Sequence, residues 1–296
     1  MNNELILAHQ LLVNNTLGEG VIWDHRTQRL YWTDILQNKL YCWDFDGNLQ
    51  RYPCPEALAS FGFTDDPQWL ICAFASGFAF FNPRHQEVRW LNQLNLPIGV
   101  RLNDGRVDRQ GRFWAGSLVD KTQNAQDSGS LYRLNFDASI SEQTRDVHIA
   151  NSLCWSIDSK KVYFADSPKR CIQTASFDAT SGNIGPFQDF VHTDRSAFPD
   201  GACIDSEGCL WSAQWGSATV KRYSPQGSLL LTLTVPCKQP SCVSFAGENL
   251  QYLCVTSAWQ DLKETQISQY DGGLFIYKTP YTGLPEALCK MPMSAA

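Results

Sequence analysis

The sequence has no run of basic residues, no C-x-x-C pair and no apolar stretch long enough to cross a bilayer. Its formal charge is −6. Without a basic patch nothing holds a phosphate backbone, so nucleic acid is excluded as a partner. The longest apolar run, WLICAFASGFAFF, is shorter than the about 20 residues of a membrane helix. Its Gly77 and repeated Phe suit a pair of strands, and no membrane partner is expected. The N-terminal MNNELILAHQLLVNN has no basic start or small-residue cleavage site, and Glu4 and His9 interrupt its apolar part. It does not read as a signal peptide, and a cytoplasmic protein is expected. Also missing are G-x-S-x-G, H-E-x-x-H and Walker loops. No segment has the period and caps of a long helix, which removes doubly wound α/β folds.

Cysteine is plentiful, at eleven residues, but the count is odd and the spacing fits no zinc ribbon or thioredoxin-type pair. Cys42, Cys72, Cys203, Cys209 and Cys254 fall inside apolar, strand-like runs. They read as small buried hydrophobes in a reducing compartment.

A repeated phrase organises the chain. A turn rich in Asp, Gly or Lys leads into an apolar or aromatic pair that opens a strand. It occurs in DHRTQRLYWTD, TDDPQWLICAF, DRQGRFWAGS, DSKKVYFADS, DSEGCLWSAQ and GENLQYLCVTS. The six copies are spaced by about 40 to 49 residues, the size of a propeller blade. LYCWDFDGNLQRY, SLYRLNFDAS and VKRYSPQGSLLLTL read as hairpins turning at Asp46-Gly47, Asp137-Ala138 and Pro225–Gly227. The expected fold is all-β: a six-bladed β-propeller spanning residues 1–296 as a single domain, with a metal site in its central channel. The strand from Leu5 to Val13 is expected to add to the last blade beside GGLFIYKT and cover its open edge. An irregular β-sandwich is the alternative, but sandwiches space their strands more closely.

Alignment of the repeats picks out one register. Four residues before the apolar residue that precedes the turn stand Glu19, Asn103, Asn151, Asp200 and Ser241, with Ser60 or Phe61 in the less regular second copy. The innermost strand of each blade lines the channel, so these side chains should converge at one end of it. Turn chemistry accounts for any single Asp-Gly or Asn-Asp-Gly. The coincidence at one register instead suggests oxygen ligands for a hard divalent ion such as Ca²⁺, Mg²⁺ or Mn²⁺. By the same count Asp104 aligns with Gly201, so Asn103 rather than Asp104 should face the channel. The five histidines share no ligand spacing; His148 and His192 shortly precede Asn151 and Asp200, which leaves a channel-side role open for each.

Five blocks occurring in order, LGEGVIWD, RLNDGRVDRQGRFWAGS, IANSLCWSIDSKKVYFADS, FPDGACIDSEGCLWSAQWGSATVKRYSPQGSL and LQYLCVTSA, resemble the family of gluconolactonase, regucalcin and related sugar lactonases. The resemblance implies a six-bladed propeller. It implies that Glu19, Asn151 and Asp200 hold one divalent metal, with Zn²⁺ and Fe²⁺ open beside Ca²⁺, Mg²⁺ and Mn²⁺. It further implies that Asp200 acts as general base, that Arg101 holds sugar hydroxyls, and that Asn103 lies near the metal and touches substrate. Asp120 and Lys121 stand where some members carry an acidic substrate contact. Two departures are Asn151-Ser152-Leu153 where Asn-Gly-Leu is usual, which requires a negative φ at Ser152, and Ala246 where glycine is usual.

The function implied is a metal-dependent hydrolase that opens a sugar lactone to the sugar acid, acting as a monomer on a small-molecule partner. The metal would polarise the carbonyl and activate water. The polar segment DKTQNAQDSG is expected to form a loop over the channel mouth. Two alternatives stay open: a non-enzymatic calcium-binding regulatory propeller, and an organophosphate or aryl-ester hydrolase on the same scaffold.

Overall fold

A computed structural model of the chain describes residues 4–120 and 128–290. Its strands, in chain order, make six sheets. β1 (Ile6–Leu11) is followed by the first blade, β2 (Gly18–Asp24), β3 (Arg29–Asp34), β4 (Lys39–Trp43) and β5 (Leu49–Pro53). The second blade is β6 (Leu58–Thr64), β7 (Leu70–Phe74), β8 (Gly77–Asn82) and β9 (Glu87–Gln93). The third is β10 (Val100–Val107), β11 (Phe113–Val119), β12 (Gly129–Leu134) and β13 (Ile140–Val147). The fourth is β14 (Ala150–Trp155), β15 (Lys161–Asp166), β16 (Cys171–Ser176) and β17 (Gln188–His192). The fifth is β18 (Phe198–Ile204), β19 (Leu210–Trp215), β20 (Thr219–Tyr223) and β21 (Leu229–Thr234). β22 (Gln239–Ala246), β23 (Tyr252–Ala258) and β24 (Leu274–Lys278) form the sixth, and β25 (Leu288–Cys289) is the last strand among the described residues. β1 pairs antiparallel with β24 as the sixth blade's fourth strand, and β25 pairs parallel with β6. The inner strands β2, β6, β10, β14, β18 and β22 touch one another in sequence around the ring, with β22 returning to β2. The all-β, six-bladed propeller read from the repeat is therefore the fold. No helix among the described residues is long and apolar enough to cross a membrane.

The repeated phrase has a structural cause. Each apolar or aromatic pair opens the second strand of its blade: β3, β7, β11, β15, β19 and β23. In the two most similar copies the turn aspartate organises the corner. Asp108 accepts the backbone N–H of Gln110 and Arg112 and the Trp114 indole N–H at 3.0 Å. Asp205 does the same for Glu207, Cys209 and the Trp211 indole at 2.8 Å. A buried carboxylate with several N–H donors replaces its lost hydration, which is why each corner keeps its Asp and its Trp together. The tryptophans then fill the space between blades; Trp114 and Trp155 meet with ring centroids 5.7 Å apart. All the cysteines but Cys54 are buried, as small core side chains.

One irregularity positions everything that follows. In each inner strand one extra residue interrupts the pairing with the neighbouring strand. The breaks lie between Glu19 and Ile22, Leu58 and Ser60, Leu102 and Gly105, Asn151 and Cys154, Pro199 and Ala202, and Pro240 and Val243. An extra residue of this kind bends the strand and re-aims its side chains. Six bulges at one level of the ring turn six short stretches of chain toward a common axis.

Candidate active site

Glu19, Asn103, Asn151 and Asp200 all sit at these bulges and all are buried. The bulges also stitch adjacent blades. Asn103 Nδ2 donates to the Ala150 carbonyl at 3.0 Å and approaches Asn151 Oδ1 at 3.5 Å. Asn151 Nδ2 donates to Ser167 Oγ at 2.8 Å, and Ser167 Oγ in turn donates to the Pro199 carbonyl at 2.7 Å. With its NH₂ so engaged, Asn151 keeps its Oδ1 as an acceptor. The fifth residue of the register, Ser241, is committed elsewhere: its hydroxyl donates to the Gly18 carbonyl and meets Thr256 Oγ1.

The carboxyl groups of Glu19 and Asp200 hydrogen-bond to each other and share a proton. Burial pushes Glu19 from its ordinary 4.5 up to about 8, with the nearby Asp104 adding to the rise. Burial, then Glu19 and Asp104, pushes Asp200 well above the usual carboxylate range. Like charges in a dry site cannot both ionise; among the described residues no salt bridge reaches either carboxyl, and the Arg101 charge offsets the rise of Glu19 only in part. This is the behaviour of a donor set built around a cation. All its atoms are carboxylate or amide oxygens, the ligand type of hard divalent ions, and a bound ion would take the place of the shared proton. The residues therefore fit a divalent metal.

Arg101 and Asp120 border this group. Arg101 donates to Asn103 Oδ1 and to the Leu102 carbonyl, both at 2.8 Å. Burial lowers its guanidinium to about 10, and the Glu19 and Asp120 carboxylates partly offset that. Asp120 is held by its backbone, whose N–H donates to the Gly99 carbonyl at 2.7 Å. Lys121 and most of the expected loop, 121–127, lie outside the described residues.

Three expectations need correction. Ser152 has φ +60°, not a negative φ, and so matches Gly20, which follows Glu19 with the same φ. The bulge after the ligand position demands a left-handed residue in both blades. Serine tolerates it because its buried hydroxyl donates to the Asp200 carbonyl at 2.5 Å, an anchor glycine lacks. Asp104 is not turned away from the site: it raises both Glu19 and Asp200, is itself raised by burial, and accepts the Leu153 N–H at 3.1 Å. His192 lies on β17, the strand of its blade farthest from the channel. His148 precedes β14, with Nδ1 3.4 Å from Asp166 Oδ2 and a side chain partly open to solvent.

The sequence also gave no sign of what closes the other end. Arg106 forms a two-point ion pair with Glu286, at 3.1 and 2.8 Å, and donates to the Ala202 carbonyl at 2.6 Å. The segment around Leu284–Ala287, ahead of β25, borders a small cavity with Arg106, Cys154 and Cys203. None of Glu19, Asn151 or Asp200 lines that cavity, so the tail and the carboxylates mark different levels of the molecule.

Known proteins agree with this reading of the fold. Residues 17–259 match the family model described as SMP-30/Gluconolactonase/LRE-like region. The L-arabinolactonase of Azospirillum brasilense is 37% identical over 278 residues, covering 92% of each chain. The 6-deoxy-6-sulfogluconolactonase of Pseudomonas putida is 33% identical over 282 residues, covering 93% of this chain and 95% of the relative. The crystal structure of a calcium-binding protein, regucalcin, from Agrobacterium tumefaciens superposes with a TM-score of 0.90 at 27% identity, covering 98% of this chain and 100% of the other. By the family match and by these relatives, the chain belongs to the SMP-30/gluconolactonase/LRE-like family.

Proposed function

We propose that the chain, a single propeller domain over residues 1–296, hydrolyses a sugar lactone to its sugar acid with one divalent metal ion. Glu19, Asn151 and Asp200 would hold the ion, whose identity among Ca²⁺, Zn²⁺, Mg²⁺, Mn²⁺ and Fe²⁺ is a matter for assay. The observation that carries the proposal is the pair of buried carboxyls, Glu19 and Asp200, both raised by burial and by the neighbouring Asp104, beside two asparagines. Lactonases among the relatives supply the substrate class.

Bound there, a divalent ion supplies Lewis acidity to an ester carbonyl and acidifies a water molecule. The protein's own groups do the rest. Arg101 presents guanidinium donors in a fixed fork to ring hydroxyls. It is braced by Asn103 Oδ1, so the fork is set before substrate arrives. Asn103 offers its amide at the same edge, and Asp120 accepts from hydroxyls nearby. Asp200, ionised once the shared proton is gone, takes the proton of the water that attacks the carbonyl carbon. The ring C–O bond then breaks, and the ring oxygen leaves as a hydroxyl, taking up the proton that Asp200 removed from the water. Asp104, fixed by the Leu153 N–H, adds negative charge that favours a cation in the site.

A matrix of sugar lactones against single divalent metals, followed by proton release, tests the proposal. Turnover is expected with one or more lactones only when a divalent ion is present, and Asp200→Asn should lose it with an unchanged circular-dichroism spectrum. Full activity in rigorously metal-free protein, or wild-type turnover by Asp200→Asn, refutes the mechanism. Metal binding without turnover of any lactone would favour a calcium-binding regulator instead.

A further inference from the structure

Away from the channel, the two outer strands of the fourth blade bring together three different ligand types. Cys171 opens β16 and pairs directly with His192, the last residue of β17. Along the same pair of strands Gln173 stands opposite Asp189. Asp189 and His192 are three residues apart, so in a regular strand they would point to opposite faces. The register shifts between Ile172 and Gln173, leaving Phe190 as an extra residue on β17. That bulge puts Asp189 and His192 on one face together with Cys171.

The result is compact. The Cys171 Sγ, one Asp189 carboxylate oxygen and one His192 ring nitrogen lie within 4.8 Å of one another. His192 Nε2 is 3.4 Å from Asp189 Oδ2. Gln173 Nε2 donates to Asp189 Oδ1 at 3.1 Å, which fixes the carboxylate and leaves Oδ2 toward the imidazole. In tetrahedral zinc sites, bonds of about 2.0–2.3 Å place neighbouring ligand atoms roughly 3.3–3.8 Å apart. The thiol is buried, while Asp189 and His192 are exposed, so an ion can enter from solvent and the two outer ligands can close on it.

We infer that Cys171, Asp189 and His192 form a second metal site, selective for Zn²⁺ and similar borderline ions over Ca²⁺ and Mg²⁺. A thiolate and an imidazole are poor ligands for hard ions and good ones for zinc. The channel group, all oxygen, has the opposite preference. On binding, the Cys171 S–H proton passes to solvent as the S–metal bond forms, and a water fills the fourth position. Gln173 is the outer partner that orients the carboxylate, as is usual around metal ligands. The site clasps the outermost strand to its neighbour, so zinc stabilises the folded chain by mass action.

The test uses the full chain with Co²⁺ as a spectroscopic stand-in for Zn²⁺. A thiolate-to-Co²⁺ charge-transfer band is expected in the near ultraviolet, abolished by Zn²⁺ and retained in a large excess of Ca²⁺. Cys171→Ser should remove the band. His192→Gln, an exposed change that leaves the fold intact, should weaken Co²⁺ binding by at least about tenfold. Asp200→Asn should leave the band in place, since the channel contributes no sulfur. The inference is overturned by any one of four results: no band in the wild type at millimolar Co²⁺, a band that survives Cys171→Ser, displacement by Ca²⁺, or unaltered binding by His192→Gln.

Discussion

Stripping divalent ions and raising the pH should destabilise this protein by a calculable amount, because it forces charge onto Glu19 and Asp200. A carboxyl group whose pKa is raised by folding stabilises the fold while it is protonated. That contribution is complete below the unfolded value and is lost as the pH climbs through the folded value. For Glu19 the window runs from 4.5 to about 8. At about 1.4 kcal/mol per pH unit, the loss across the window is roughly 5 kcal/mol. Asp200 shares the proton, so the two titrate as a unit rather than adding a second full loss. A large domain loses about 2–4 °C of melting temperature per kcal/mol, so the fall should be on the order of 10 °C or more. The assay is thermal unfolding in excess chelator at several pH values between about 4.5 and 9, on the wild type and on Glu19→Gln. The wild type should fall more steeply than the variant, which has no proton to lose at that position. Restoring the metal should recover the melting temperature at alkaline pH, since the ion binds the folded state alone. A chelated wild type whose melting temperature holds through pH 9, or falls in parallel with Glu19→Gln, would show that burial does not hold Glu19 protonated.

Three further outcomes are expected. Arg101→Ala should raise KM for polyhydroxylated lactones while sparing kcat and sparing an unsubstituted lactone; equal losses on both substrates would remove Arg101 from hydroxyl recognition. Ser152→Ala should lower stability in chemical denaturation by about 1 kcal/mol, because it keeps the left-handed φ and loses the hydrogen bond to the Asp200 carbonyl. Ser152→Gly should lie above the alanine variant, since it relieves the backbone strain of about 1–2 kcal/mol. Glu286→Ala strands the Arg106 guanidinium and should cost roughly 3 kcal/mol, with Glu286→Gln milder; a neutral result for both would mean that the tail contributes no stability.

What could be read from the sequence follows from the same geometry. The fold was legible because each corner needs an acceptor for its N–H groups and each second strand needs an apolar opening. Asp108 with Trp114 and Asp205 with Trp211 therefore recur at a fixed separation. Counting four residues back reached Glu19, Asn103, Asn151 and Asp200 because every inner strand carries one extra residue near the same level, so the offset is nearly constant around the ring. The same bulge explains the failure at Asp104. Alternation assigns one residue of a consecutive pair to each face, but a bulge sets two residues against one, and Asn103 and Asp104 both fall within it. A φ of +60° at Ser152 is likewise a property of the bulge, invisible without knowing that Gly20 occupies the equivalent place. His192 misled for a topological reason: the chain reaches each inner strand by way of the previous blade's outermost strand, so a residue just before Asp200 in sequence is far from it across the sheet. That argument also carries a positive consequence. Chemistry placed shortly before an inner strand of a propeller belongs to the rim, and a cluster such as Cys171, Asp189 and His192 should be weighed as a rim site with its own ligand preference rather than as an extension of the channel.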